Sequence, residues 1–564
     1  MSPGIAEAQH RPTGPGRWAG SGLAPGSAVA ASFRADRPLP MEHSGVEPSQ
    51  VEAAFRSVGA EFEQLAQRAR DQGRNAAAEI VEVGALIATD PDLVASAVDA
   101  AASGGNPLQA IHDAVESYAQ VLEALPDPTL SERSADVRQV GRRVIERLVA
   151  GGSTSPTMRR FVLVASEIGP VDLLENVGNG LAAAVTVRGG PNSHAAIVAR
   201  SVGLPLVSGV DPAVLDLPDN TTLLVDADAG VVVAGPADDE VARVEAAAAL
   251  GEQRRTLLAA ERGQPHVTVG GTPFLLLCNV ASDIEAHTGL TSGAEGIGLL
   301  RTELPFLEAA RWPESADHRR ALRPIFAEVP GWPVTVRLLD FANDKIPPFL
   351  VDGPSGLHAL LDNPDALAAQ VRAIVDVGRS VDLKIMVPMV TSAGQLAAVR
   401  TVVDGVVAEL GVAPVPVGAM IETVEAVEVV DEICFIADFL SIGTNDLTSQ
   451  VLSLDRRDPR ARPALTAHPQ VMEMVGRVVV AAAPAGRPVS VCGDAGSHPT
   501  TLPLLVGAGV RSFSVACARI DETRYRLRRL DLEVCRSLYV EALGTTSADE
   551  AAALVRSRLD VELP

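Results

Sequence analysis

Residues 415–446 read VPVGAMIETVEAVEVVDEICFIADFLSIGTND. Two short apolar runs, VPVGAMI and FLSIG, flank a stretch, AVEVVDEICFIA, whose apolar positions recur at three- and four-residue spacing, so the segment reads strand, helix, strand. Parallel neighbours need a crossover of this length, and the usual crossover is a helix. The same unit recurs on both sides. Apolar strand candidates are FLLLCNV (274–280), GIGLLRT (296–302), VTVRLLDF (334–341), KIMVPMV (384–390), VPVGAMIE (415–422), DFLSIGTND (438–446), VSVCGD (489–494) and SFSVA (512–516). Helical patterns such as GQLAAVRTVVDGVVAEL (394–410) lie between several of them. Eight β/α units in this order predict a (β/α)8 barrel of the TIM type over residues 263–564.

Towards the N-terminus the pattern changes twice. Residues 238–262, charged and alanine-rich, read as a connector helix. Before it, residues 155–237 alternate short apolar runs (FVLVAS, AAAVTV, PLVSGV, TTLLVDAD, GVVVAG) with Gly, Pro and Asn, which predicts a small α/β region. Residues 46–154 are rich in Ala, Glu, Arg and Leu with helical periodicity, broken at Asp90-Pro91 and at Gly104-Gly105-Asn106-Pro107. Residues 1–17 are Gly/Pro/polar and read as a disordered tail. The expected class is multidomain α/β with a helical segment and a C-terminal barrel.

Composition narrows the function. A chain of 564 residues is long enough for three or four domains. Aromatic residues are only 3%, which argues against base stacking or an aromatic-lined carbohydrate surface. The net charge of −24, from 71 acidic and 47 basic residues, opposes a nucleic-acid partner and suits a basic protein partner. The cysteines at 278, 434, 492, 517 and 535 form neither a disulfide framework nor a CxxC spacing. With no signal-like apolar run at the start and no apolar stretch of membrane-spanning length, a cytoplasmic location away from the membrane is expected.

A barrel places reactive groups at the carboxyl ends of its strands. Arg301, Arg337, Glu422, Asn445, Asp446 and Cys492 fall there. Glu422 and Asp446 are one β/α unit apart, and two close carboxylates repel unless a proton or a cation lies between them. Mg2+ meets that need, because it takes one or two carboxylates and fills its other positions with water and substrate oxygens. Arginines at the same mouth supply forks for phosphate or carboxylate. Taken singly, each residue has a plainer role as a cap or rim ion pair; their collection at one barrel end favours chemistry. A second constellation is RGGPNSHAAIVARSVGLPLVSG (188–209). The Gly189-Gly190-Pro191 turn, Asn192 or Ser193 as N-cap and Gly203 as terminator place His194 in the first turn of a helix, where backbone N–H groups stabilise an anion.

These two constellations, together with SGLAPGSAVA (21–30), SERSADVRQVGRRV (131–144), EGIGLLRTELPFL (295–307), VRLLDFANDK (336–345), IMVPM (385–389), Leu454-Asp455-Arg456 and VCGDAG (491–496), carry a resemblance over about residues 18–540. The sequence resembles enzyme I of the bacterial phosphoenolpyruvate:sugar phosphotransferase system, within the phosphoenolpyruvate-utilising enzymes. The resemblance implies that residues 18–45 and 155–237 form a swivelling α/β domain bearing phosphorylated His194. It further implies that the inserted helical domain, 46–154, docks the histidine phosphocarrier protein and that the barrel binds phosphoenolpyruvate and forms a homodimer. By motif, Glu422 and Asp446 would hold Mg2+, Arg301, Arg337, Asn445 and Arg456 would bind substrate, and Cys492 would protonate the enolate to pyruvate. One stretch departs from the pattern: GLHALLDNP (356–364) has His358 and Leu361 where the family usually carries arginines. A catalytically weakened or regulatory relative is therefore the alternative reading.

Overall fold

The computed structural model describes residues 16–35, 41, 45–71, 75–103, 106–124, 128–150, 160–190, 193–342, 345–351, 353–454 and 462–560. Two compact units divide the chain between Glu252 and Gln253. The expected tail, residues 1–17, lies outside the described residues up to position 15.

In the first unit the strands are β1 (Arg17–Ala19), β2 (Ser21–Ala24), β3 (Ser27–Arg34), β4 (Phe161–Ala165), β5 (Leu181–Thr186), β6 (Leu206–Ser208), β7 (Thr222–Asp226) and β8 (Val231–Ala234). They form one sheet in the order β1-β8-β7-β3-β4-β5-β6-β2. β3 and β4 pair in parallel, with Ala31 opposite Phe161, although the chain between them runs through five helices. These are α1 (Val51–Asp71), α2 (Asn75–Ala88), α3 (Pro91–Ala102), α4 (Pro107–Glu123) and α5 (Pro128–Ala150). The helical segment is thus an insertion between two neighbouring strands. Its breaks follow local chemistry: Asp90 accepts from the N–H groups of Asp92 and Leu93, and Asn106 from Leu108, each ahead of a proline at the first helical position. Alternation along the strands buries both faces. Val162, Val164, Ala183, Val185 and Val207 point to one core, while Phe161, Leu163 and Ala184 join the core of the helices. Two further helices, α6 (Pro170–Val177) and α7 (His194–Val202), cross between β4, β5 and β6. α8 (Asp238–Ala259) follows β8, and the division between the units falls inside it.

The second unit is a closed parallel barrel of eight strands: β9 (Leu275–Val280), β10 (Ile297–Leu300), β11 (Pro333–Arg337), β12 (Asp382–Val387), β13 (Val417–Ile421), β14 (Leu440–Ile442), β15 (Val489–Val491) and β16 (Ser512–Ala516). All eight correspond to the strand candidates read from sequence. β13 is buried along its whole length, which is why it appears as a continuous apolar run. Gly418 within it is required by packing, since a Cβ there would lie 2.5 Å from the Phe439 ring. AVEVVDEICFIA, expected as one helix, is two short ones, Val424–Glu428 and Val430–Ile436, joined through Val429 at φ −107°, ψ 20°. The last turns of α8 and the residues after it are tied to the barrel by ion pairs: Arg254 with Glu522 (3.4 Å), Glu261 with Arg528 (3.0 Å) and Arg529 (2.7 Å), and Arg262 with Asp521 (2.5 Å). Among the described residues no helix is long and apolar enough to cross a membrane.

Candidate active site

His194 opens α7. After β5 the chain turns at Gly189, whose φ of +138° favours glycine, and Ser208 Oγ donates to its carbonyl at 2.9 Å. Ser193 is the N-cap, its Oγ accepting from the N–H of Ala196, and Gly203 closes the helix in the left-handed conformation. Pro191 and Asn192, expected in the turn and cap, lie outside the described residues. The His194 side chain is 14% exposed, and its Nδ1 sits 3.1 Å from Asp136 Oδ2. Asp136, buried on α5, is held in turn by Arg133 at 3.1 Å. Nδ1 thus faces a carboxylate, and Nε2 is the other ring nitrogen. The cavity beside it, about 610 Å³, is lined by Arg138, Arg142, Arg188 and Ser193 among others. Arg138 is committed to Glu116 at 2.8 Å and Glu123 at 2.6 Å, whereas Arg142 Nη1 is buried with no hydrogen-bond partner among the described residues.

At the barrel mouth, Arg301 follows β10, Arg337 ends β11, Glu422 follows β13, Asn445 and Asp446 lie in the helix (Thr444–Val451) after β14, and Cys492 follows β15. Arg456 falls in 455–461, outside the described residues. Arg337 is not an open fork. Its Nη2 donates to Glu303 Oε1 at 2.6 Å and its Nη1 pairs with Asp340 Oδ2 at 3.0 Å, while Nε has no partner among the described residues. Lys345 Nζ adds 2.8 Å to the same Glu303 oxygen. Burial alone would push the Glu303 carboxyl up, but the Arg337 and Lys345 charges outweigh it and hold the group at about 2.

Glu422 moves the other way. Burial, then the charges of Asp340 and Asp446, push it up to about 8 against the opposing pull of Arg337. Its position is fixed by backbone. The N–H of Met389, a residue in the left-handed region at φ +50°, donates to Oε1 at 2.7 Å. On the other side, a Cβ on Gly443 would come within 2.7 Å of Oε2. Cys492 is buried, which pushes its thiol up to about 11 and keeps the proton on sulfur at neutral pH. Its backbone is fixed from β9: Asn279 Nδ2 donates to the Cys492 carbonyl at 2.9 Å, and Ser514 Oγ donates to Asn279 Oδ1 at 2.6 Å. Asn445 and Asp494 bond reciprocally, at 2.9 and 3.2 Å. His358 is exposed, with Nε2 3.2 Å from Gln395 Nε2.

Asp136, Glu303, Asp340 and Met389 were not singled out from the sequence as site residues; Asp340, three residues past Arg337 at a strand end, carried the same positional signal as the rest. No three His, Cys, Asp or Glu side chains among the described residues stand close enough to hold a metal ion by themselves. Glu422 with Asp446 fits instead a hard cation that draws its other ligands from water and substrate, since burial and then the charges of Asp340 and Asp446 disfavour an ionised Glu422 that has no cation beside it.

Three family models match the sequence. The phosphoenolpyruvate-utilising enzymes' N-terminal domain covers residues 15–133, their mobile domain 158–230 and their phosphoenolpyruvate-binding domain 255–532. A multiphosphoryl transfer protein of Rhodobacter capsulatus is 35% identical over 82% of the chain, which spans 58% of that relative's length. The phosphoenolpyruvate-protein phosphotransferase of Streptomyces coelicolor is 31% identical over 93% of the chain and 94% of its own length. That of Priestia megaterium is 27% identical over 95% and 98%. With three phosphoenolpyruvate-utilising domains matched along the sequence and a relative 31% identical over 94% of its length, the chain belongs to the phosphoenolpyruvate-protein phosphotransferases, the enzyme I transferases among the phosphoenolpyruvate-utilising enzymes.

Proposed function

We propose that the protein takes the phosphoryl group of phosphoenolpyruvate onto His194, releases pyruvate, and passes the group to a histidine phosphocarrier protein. The observation that carries this reading is the barrel mouth, where a thiol kept protonated by burial and two mutually repelling carboxylates, Glu422 and Asp446, share one strand-end ring with arginines. In the first step the P–O bond of the substrate breaks and a P–N bond forms at Nε2 of His194, while the enolate oxygen keeps the electron pair. Asp136 faces Nδ1, so Nε2 would take the phosphoryl group and the positive charge that develops on the ring would be met by a carboxylate. Arg301, Asn445, Arg456 and the unpaired Nε edge of Arg337 would bind the anionic substrate, whose transfer depends on positioning and charge neutralisation. Glu422 and Asp446 would hold Mg2+, which when bound would neutralise charge on phosphate and carboxylate oxygens. Cys492 would then protonate the enolate carbon, and the thiolate recovers its proton from solvent.

The division of labour belongs to the same reading. Residues 18–45 and 155–237 would carry His194 between sites, 46–154 would dock the carrier, and the barrel would pair with a second copy. Incubation with labelled phosphoenolpyruvate and Mg2+ tests it: acid-labile phosphate on the protein and stoichiometric pyruvate are expected, with labelling lost in His194→Ala. An unlabelled wild-type protein would overturn the activity, and a labelled His194→Ala would overturn the site.

A further inference from the structure

One carboxylate at the barrel mouth has no use in the scheme above. Asp340 lies three residues beyond the end of β11 and is 4% exposed. Its Oδ2 takes Arg337 Nη1, but its Oδ1 is buried with no hydrogen-bond partner among the described residues. An unsatisfied buried oxygen of this kind costs about 1–3 kcal/mol, and native proteins rarely leave one without a ligand, ion or ordered water to meet it. The neighbouring cations do not serve: Arg337 divides its two amino groups between Glu303 and Asp340 Oδ2, and Lys345 is taken by Glu303. Asp340 follows β11 at the same end of the barrel at which Glu422 follows β13.

The missing donor is therefore something that enters the site. A direct third carboxylate ligand does not fit, because no three metal-binding side chains among the described residues converge closely enough. A water on the ion does. Mg2+ and Mn2+ keep several waters when only two carboxylates bind them, and each such water has O–H groups to donate. We propose that Asp340 Oδ1 accepts a hydrogen bond from a water bound to the divalent cation held by Glu422 and Asp446, so that Asp340 orients the ion's water shell and ties it to Arg337. Asp340 is then a positioning residue that couples the cation and the anion-binding guanidinium through its two oxygens. The inference rests on the reading of Glu422 and Asp446 as the cation's ligands.

The test needs no turnover. Free Mn2+ is measured by electron paramagnetic resonance during titration of the full-length protein without phosphoenolpyruvate. Outer-sphere acceptors typically change metal affinity about 10–100-fold. Asp340→Asn leaves an oxygen for Arg337 but presents an amide in place of the free carboxylate oxygen, and a 10–100-fold weaker Mn2+ affinity is expected. Glu422→Gln should abolish binding. Wild-type affinity in Asp340→Asn, with binding lost in Glu422→Gln, would overturn the role of Asp340 alone. Mn2+ retained in Glu422→Gln would remove the cation reading and this inference with it. If Asp340→Asn does not fold, as judged by its melting profile, Asp340→Ser is read by the same criteria.

Discussion

The clearest energetic consequence of the site concerns Glu303→Gln. Glu303 is fully buried, and its Oε1 accepts from both Arg337 and Lys345. The carboxyl is held at about 2 against an ordinary 4.5, a difference of about 2.5. At 1.36 kcal/mol for each decade, the ionised form contributes about 3 kcal/mol to folding at neutral pH. Because the folded value is depressed, that contribution is complete above pH 4.5 or so and drains away as pH falls towards 2. At pH 3 the unfolded chain is already protonated at this site while the folded one is not, and about 1 kcal/mol is left. Glutamine preserves the volume and one acceptor but removes the charge, stranding Lys345 and leaving Arg337 with Asp340 only. In a unit of this size each kcal/mol moves the midpoint by about 2–4 °C. The transition of the barrel unit in Glu303→Gln should therefore fall about 6–12 °C below wild type at pH 7, and by less than half of that at pH 3. Calorimetric or circular-dichroism melts of both proteins at the two pH values make the comparison, and other carboxylates cancel because both chains carry them. A midpoint within 2 °C of wild type at pH 7, or a gap that does not narrow at pH 3, would refute the assignment of Glu303 as the counter-ion of this buried pair.

Three further outcomes follow from the geometry. Cys492→Ser should melt like wild type but form pyruvate at least about 100-fold more slowly in a lactate dehydrogenase-coupled assay, the usual scale of a lost general acid; a rate within threefold would remove the proton-donor role. Gly443→Ala puts a Cβ 2.7 Å from Glu422 Oε2 and 2.8 Å from its Cβ, so the carboxylate must move; labelling of His194 from phosphoenolpyruvate should drop by at least about tenfold with the circular-dichroism spectrum preserved, and undiminished labelling would show that the position of Glu422 is not critical. Asp136→Asn keeps the side-chain size but no longer fixes the imidazole tautomer, so phosphohistidine formation should slow by at least about tenfold, while an unchanged rate would make the contact merely structural.

The parts of this molecule that could be read in the sequence are those set by local pattern. Most of the barrel strands announce themselves because they are buried along nearly their whole length and bounded by polar turns; even β14, three residues long and wholly buried, is visible inside DFLSIGTND. The N-terminus of α7 is legible because a glycine turn and a serine cap precede His194. What could not be read depends on residues far apart in the chain. Asp136 meets His194 across 58 positions, and Glu303 reaches Arg337 across 34. No periodicity encodes such pairings, since they are consequences of closure of the sheet and the barrel. The split of AVEVVDEICFIA was equally hidden, because both halves keep their apolar side inward and periodicity alone does not register a one-residue break.

Arg337 shows how this difference changes the chemistry inferred. From the sequence it is one more arginine at a strand end, a free fork for an anion. In the structure it is the centre of a buried charge array, with Glu303 and Asp340 on its two amino groups and Lys345 behind Glu303. A guanidinium that is already paired offers an incoming anion only its remaining edge, but it offers that edge in a fixed orientation, so little is lost in ordering when the anion binds. The array also separates two neighbouring carboxylates of opposite behaviour. Glu303, beside two cations, stays ionised down to about pH 2, whereas Glu422, beside Asp340 and Asp446, is raised to about 8. The former is a permanent counter-charge that holds the arginine in place. In the proposed reading the latter would lose its proton to solvent and take a divalent ion in its place, so two carboxylates at one barrel mouth would divide scaffold and chemistry between them through the sign of their neighbours.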